Sequence, residues 1–279
     1  MKKCMGIALL AVIVGISPIC SAEAATAVTE SFRGRDMIVY APDHLPPNGK
    51  RALIIVLHGG MGNAERIATT QSESGLNMNA EADKDGFVVA YLNGTKVARF
   101  LRSDRRGWNA GGGCCGMPAE TNVDDETYIA QAVAHLADEY GIDTRRVYGM
   151  GHSNGAMMTQ RLMCDTGLYA AAVAVSGPLN LDTATCPAAR GRRILAIHGA
   201  EDENVPVAGG EGSKGFSHAT FKSEAHSRQV FTNSGAAYTL DLVPGADHAF
   251  AHIDAALKQT EGVTIAEKSA GFFGLAAAR

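Results

Sequence analysis

Three residues of this chain have the types and the order that make a serine hydroxyl reactive: Ser153, Asp202 and His248. A serine hydroxyl is a weak nucleophile at neutral pH. It needs a base to take its proton, usually a histidine held by a carboxylate. Ser153 lies in Gly151-His152-Ser153-Asn154-Gly155, after a strand-like run that ends at Met150 and before a helical pattern. Strand, Gly-x-Ser-x-Gly, helix is the pattern of a nucleophile elbow. The turn is so sharp that residues two before and two after the serine must be nearly free of side chain, as Gly151 and Gly155 are. A chain with 32 glycines meets the bare motif by chance; the flanking elements and the downstream partners set this one apart.

An acid for such a serine should follow a later strand, and Ile194–Ile197 is followed by His198-Gly199-Ala200-Glu201-Asp202-Glu203. Asp202 is preferred over Glu201 and Glu203, because neighbouring side chains on a turn point apart. The base should follow the last strand. His248 does, and its rival His252 is expected one turn into the next helix. His152 adjoins the serine and cannot turn back to serve it, so it is read as a wall of the site or a packing residue. An oxyanion needs backbone N–H donors. One is expected from Asn154, and the other from the loop Leu57-His58-Gly59-Gly60-Met61-Gly62, at Gly60 or, preferably, Met61.

Other chemistries fit less well. His248 and His252 have zinc-protease spacing but no glutamate beside His248. Gly111-Gly112-Gly113 lacks the Lys-Ser/Thr of a phosphate loop. Met157, Met158 and Met163 are read as core, and Asp124 or Asp125 as a helix cap. No metal site and no cofactor are expected.

The elements that must position these residues alternate. Strands are expected near Arg35–Ala41, Ala52–Leu57, Phe87–Tyr91, before the elbow, at Ala170–Val175, Ile194–Ile197 and Tyr238–Val243. Helices are expected at Asn77–Asp85, from Asp124 or Asp125 to Tyr140, after Ser153 to about Thr166, at Ser217–Thr232 and at His252–Thr260. Thr95–Val123 reads as a long loop. Alternation at this spacing predicts an α/β, doubly wound, mostly parallel sheet, and each candidate lies beyond a carboxyl end of a strand, where such sheets bind ligands.

The amino terminus reads as an export signal: Lys2 and Lys3, an apolar stretch Gly6–Ile19 too short for a membrane span, and a cleavage site at Ala22-Glu23-Ala24. Residues 1–24 are therefore expected to be removed. That leaves one domain, 25–279, in the periplasm or outside the cell. The net charge of −4, mixed along the chain, points to no nucleic-acid partner. Of six cysteines, four fall after the cleavage site: Cys114, Cys115, Cys164 and Cys186. An even number in an exported chain predicts two disulfides. A vicinal bond is strained, so Cys114 and Cys115 are each expected to pair with Cys164 or Cys186.

With these residues in place the chain resembles the secreted esterases grouped as polyhydroxybutyrate depolymerase-like and feruloyl or acetylxylan esterase-like, of the α/β-hydrolase superfamily. The resemblance rests on Leu57-His58-Gly59-Gly60, Gly107-Trp108-Asn109 with Cys114-Cys115-Gly116, Val123-Asp124-Asp125, the elbow, His198-Gly199 with Asp202 and Val205-Pro206, and His248. It runs from about Arg33 to Lys258. It implies the α/β-hydrolase fold, hydrolysis of carboxylic esters without a cofactor, catalysis by Ser153, Asp202 and His248, and a disulfide from the Cys114/Cys115 pair to Cys164. The chain departs from the pattern at Phe250-Ala251, where members often carry Trp-Pro.

Only about fifteen residues separate Ser176 from Arg192, so no large lid is expected there. An open site suits a short-chain hydroxyalkanoate ester, small or polymeric, or a plant-wall acyl ester, and not a long acyl chain. Trp108 and His152 are the candidates for contact with substrate. An acyltransferase or a secreted serine peptidase would use the same three residues, and a non-catalytic binding protein would be expected to have lost one.

Overall fold

The run Arg51–Leu57 is apolar at every position after the first because both of its faces are covered. In a computed structural model describing residues 27–69, 76, 78–97, 104–214 and 219–276, it is strand β3 at the middle of an eight-stranded sheet. The expected leader, residues 1–24, lies outside the described residues. The strands of that sheet are β1 (Val28–Phe32), β2 (Arg35–Tyr40), β3, β4 (Val88–Leu92), β5 (Ile142–His152), β6 (Ala171–Val175), β7 (Arg193–Gly199) and β8 (Ala237–Val243). Their order is β1-β2-β4-β3-β5-β6-β7-β8. The pairs β1–β2 and β2–β4 are antiparallel; all others are parallel. The expected doubly wound, mostly parallel sheet is present, with β1 added at one edge.

The described residues form eight α-helices: α1 (Ala64–Ile67), α2 (Asn79–Asp85), α3 (Met117–Glu120), α4 (Asp125–Tyr140), α5 (Asn154–Asp165), α6 (Glu224–Asn233), α7 (Phe250–Thr260) and α8 (Ile265–Phe273). Alternate residues of β3 feed two separate cores. Leu53, Ile55 and Leu57 join Ile129 and Leu136 of α4, Met158 and Leu162 of α5 and Phe231 of α6. Ile54 and Val56 join Ile67 of α1, Ile253 and Leu257 of α7 and Phe273 of α8. This two-sided burial is why period-2 alternation is missing from the central strands.

Helix α4 starts where Asp124 accepts the Thr127 amide at 3.0 Å and ends at Gly141, whose φ of 63° suits the left-handed cap. Asp125 is not a cap: it is buried and paired with Arg35 at 2.6 Å. The expected helix at Ser217–Thr232 begins later, at Glu224, with Ser223 as its cap; Thr220–Phe221 instead pairs with Gly210–Glu211 as a short ribbon. The stretch expected as a loop contains another ribbon, Thr95–Lys96 with Arg106–Gly107, and α3. Between β6 and β7 the chain passes through one 3-10 turn, Pro187–Ala189.

The cysteine pairing differs from both expectations. Cys114 is bonded to Cys115, across a cis peptide, and Cys164 to Cys186. Cys114 lies beside Asn154 at the start of α5, with Asn154 Nδ2 3.8 Å from its sulfur. Cys164 is ten residues further along that helix, about 15 Å at 1.5 Å per residue. The Pro187–Ala189 turn packs on the far end of α5 and brings Cys186 within 4.4 Å of Cys164, Cα to Cα.

Candidate active site

Ser153 stands between β5 and α5 with φ 54° and ψ −122°, a left-handed-side conformation that few non-glycine residues adopt. Its amide donates to Val175 of β6 at 2.8 Å. The neighbouring glycines are demanded by space. A Cβ on Gly151 would stand 2.3 Å from the Gly155 carbonyl oxygen, and one on Gly155 would stand 2.2 Å from that of Leu57.

His248, on the loop after β8, has Nε2 2.9 Å from Ser153 Oγ and Nδ1 2.7 Å from Asp202 Oδ2. The carboxylate only accepts, so Nδ1–H donates to it and the Nε2 lone pair faces the serine hydroxyl. Asp202 Oδ1 accepts the amides of Asn204 and Val205, each at 2.8 Å. Burial alone would raise its pKa; hydrogen bonds from His198 and His248 outweigh that and hold it well below the usual carboxylate range. The three residues named from sequence are thus brought into one hydrogen-bonded line. Glu201 and Glu203 remain at the mouth of the cavity, and His252 is turned outward to Asp247 at 2.8 Å.

His152 is buried and lines the cavity. Its Nε2–H donates to the His248 carbonyl at 3.0 Å and its ring lies 5.1 Å from the His248 ring, so it braces the base. Burial and the neighbouring His248 push its pKa down to about 3, leaving it neutral.

The oxyanion loop is fixed by His58. Its Nδ1–H donates to Gly59 O at 2.8 Å, its Nε2 accepts the Gly94 amide at 3.0 Å, and burial pushes its pKa down to about 4. Gly60 sits over Asn154: a Cβ built on it would be 3.6 Å from the Asn154 Cβ. The preference for Met61 as donor is corrected. Met61 has φ 65°, and its amide donates to Arg106 O at 2.8 Å, so that N–H is already committed. Gly60, the other residue of that loop expected as a donor, lines the cavity together with Asn154.

Trp108 is also corrected. It is fully buried and does not line the cavity. Its Nε1–H donates to His58 O at 2.9 Å. Its amide donates to Asn154 Oδ1 at 2.7 Å, and its carbonyl accepts from Asn154 Nδ2 at 3.0 Å. The next residue, Asn109, donates its amide to Asp125 at 2.8 Å. Trp108 is therefore a strut between the oxyanion loop and the elbow helix.

A cavity of about 810 Å³ opens over Ser153 and His248, with Met61, Val97, Cys115, Met157, Val205 and Phe250 among its walls. Two further stretches contribute, the first through Gly107, Gly113 and Gly116 and the second, after β7, through Asn204 and Lys214. Behind Asp202, His198 and Glu224 are buried. There His198 Nε2 is 3.0 Å from Asp202 Oδ2 and 2.9 Å from Val205 O, His198 Nδ1 is 2.8 Å from Glu224 Oε1, and the Tyr238 hydroxyl donates to Glu224 Oε2 at 2.6 Å. Local sequence pattern assigns no role to His198, Glu224 or Tyr238. The available signal was a histidine closing the apolar run Ile194–Ile197.

A family model described as the prolyl oligopeptidase family matches residues 119–190. The bifunctional acetylxylan esterase/xylanase XynS20E of Neocallimastix patriciarum is 33% identical over 176 residues, covering 62% of this chain and 22% of that protein. Feruloyl esterase B of Piromyces equi is 28% identical over 180 residues, covering 63% of this chain and 31% of its own. The chain thus spans about a fifth to a third of the length of these relatives. Among solved structures, the LpqC poly(3-hydroxybutyrate) depolymerase of Bordetella parapertussis aligns with a TM-score of 0.53 at 15% identity, over 90% of this chain and 95% of that one. That likeness is one of fold.

Proposed function

We propose that this chain, whose mostly parallel sheet and serine turn are those of an α/β-hydrolase fold, is an exported serine carboxylester hydrolase that works through an acyl-enzyme on short-chain esters. The observation that carries this is the line Ser153–His248–Asp202, with contacts of 2.9 and 2.7 Å, at the floor of an open cavity. His248 Nε2 takes the hydroxyl proton as Ser153 Oγ attacks the ester carbonyl. The Gly60 and Asn154 amides receive the oxyanion. His248 then gives the proton to the leaving alcohol, and water, activated in the same way, releases the acid and restores Ser153.

The chain between β6 and β7 places no lid helix over the site, which favours esters whose alcohol or acyl part extends into solvent, either hydroxyalkanoate oligoesters or plant-wall acyl esters. The relatives named as acetylxylan and feruloyl esterases support the second group. The leader expected at residues 1–24 and the bonded cysteines support export. No helix among the described residues is long and apolar enough to cross a membrane.

The test is hydrolysis of p-nitrophenyl acetate, butyrate and octanoate and of methyl ferulate by the chain without residues 1–24. Ser153→Ala should lose about four to six orders of magnitude in kcat. Long-chain triglyceride turned over faster than short esters would overturn the open-site reading. Ester formation with an added alcohol, at the expense of hydrolysis, would make the protein an acyltransferase. The match to the prolyl oligopeptidase family favours a second reading, a serine peptidase; cleavage of peptide p-nitroanilides in preference to esters would establish it.

A further inference from the structure

Behind Asp202 lie two buried ionisable side chains, His198 and Glu224, that the hydrolytic step does not itself use. His198, at the end of β7, is fully buried, and both of its ring nitrogens face acid groups. Nε2 also faces the Val205 carbonyl, which can only accept, so Nε2 carries a proton. Glu224 Oε2 is occupied by the Tyr238 hydroxyl, which leaves Oε1 to accept from His198 Nδ1–H. Asp202 Oδ2, in turn, is shared by His198 and His248. The continuous chain is Tyr238, Glu224, His198, Asp202, His248, Ser153.

We infer that His198 is a positioning residue of the relay, a buried imidazolium that Glu224 keeps charged so that Asp202 stays ionised and aimed at His248. The inference rests on the esterase reading for its kinetic consequence but not for its charge state. Burial works against a charged His198, yet the hydrogen bonds to Asp202 and Glu224 prevail and push its pKa up to about 9. The groups that face it are Asp202 on its own turn, Glu224 of α6, Tyr238 of β8, and His248 and His152 across Asp202. One cation between two carboxylates presents His248 with a net single negative charge, as a lone aspartate would. It also gives Asp202 a third donor, on Oδ2, besides the Asn204 and Val205 amides on Oδ1, so the carboxylate cannot rotate away from His248.

The first test is nitrogen-15 NMR of the histidine-labelled protein, with the His198 signals assigned through His198→Gln. Both ring nitrogens should show imidazolium shifts at pH 7 and change together near pH 9. A ring with one unprotonated nitrogen at pH 7 would overturn the inference, because the proton would then sit on Glu224. This readout stands even if no ester is hydrolysed. The second test is Glu224→Gln, which keeps the shape of the side chain. In this variant the His198 titration should move down by at least one pH unit, and the kcat profile should gain a step at that same pH with KM within twofold. A variant that loses thermal stability while its kcat profile keeps the parent's form would show that His198 and Glu224 serve folding alone.

Discussion

Replacing Trp108 by phenylalanine separates a substrate-contacting tryptophan from a strut. Two changes add. The His58 carbonyl loses its buried partner at 2.9 Å, which costs about 1–3 kcal/mol when a buried acceptor is left unmet. The smaller ring vacates roughly 40 Å³, which at about 24 cal/mol per Å³ of cavity adds about 1 kcal/mol. The sum, about 2–4 kcal/mol, corresponds to a fall in Tm of roughly 5–15 °C for a domain of this size. Because the lost bond holds the loop that presents Gly60, kcat should fall several-fold more than KM changes. Scanning calorimetry and ester kinetics on one preparation read both effects. A Tm within 1 °C of the parent together with a large rise in KM would refute the strut and return Trp108 to the substrate.

Asp125→Ala should destabilise by about 3–5 kcal/mol, since it strands Arg35 and frees the Asn109 amide; Arg35→Met in the same chain should recover a share of that loss, read by denaturant unfolding. Removing the Cys164–Cys186 bond, which closes a loop with a sequence separation of 22, should cost about 3 kcal/mol, read from unfolding with both cysteines changed to serine. Stability should also fall on both sides of neutrality. His152 and His58 are held near 3 and 4 in the folded chain, so below about 6.5 the unfolded form takes protons that the folded form refuses, at about 1.4 kcal/mol per pH unit for each. His198, held near 9, gives stability that is complete below about 6.5 and lost as pH rises through 9. A Tm that stays flat from pH 7 to pH 5 would contradict the burial of the first two.

The sheet and the meeting of Ser153, Asp202 and His248 could be read from sequence because each depends on local pattern: apolar runs, a glycine-bounded serine, and chain order. What escaped depended on distance or direction. The sequence does not reveal that the Met61 peptide turns its N–H toward Arg106, which follows from a φ of 65° at a non-glycine residue. Trp108 reads as an exposed aromatic in a glycine-rich loop until that loop folds under the elbow helix. Local strain argues against the Cys114–Cys115 pairing, but the length of α5, which sequence pattern does not set against the loop, keeps Cys114 and Cys164 at opposite ends. Strand β1 is illegible because its residues are mostly exposed and polar, and helix α8 because it follows a break in the apolar period after Thr260.

The Trp108 segment is held at three points: on His58 by its indole, on Asn154 by its backbone, and on Asp125 through Asn109. For anyone wishing to exchange this loop with that of another enzyme, the anchors define the exchangeable module. Thr95–Lys96 and Arg106–Gly107 pair as a ribbon on the amino-terminal side of these anchors, so an exchange confined to the residues joining those two strands leaves the anchors in place. A graft that extends to residue 109 must carry Trp108 and Asn109 with it and find an asparagine waiting at 154.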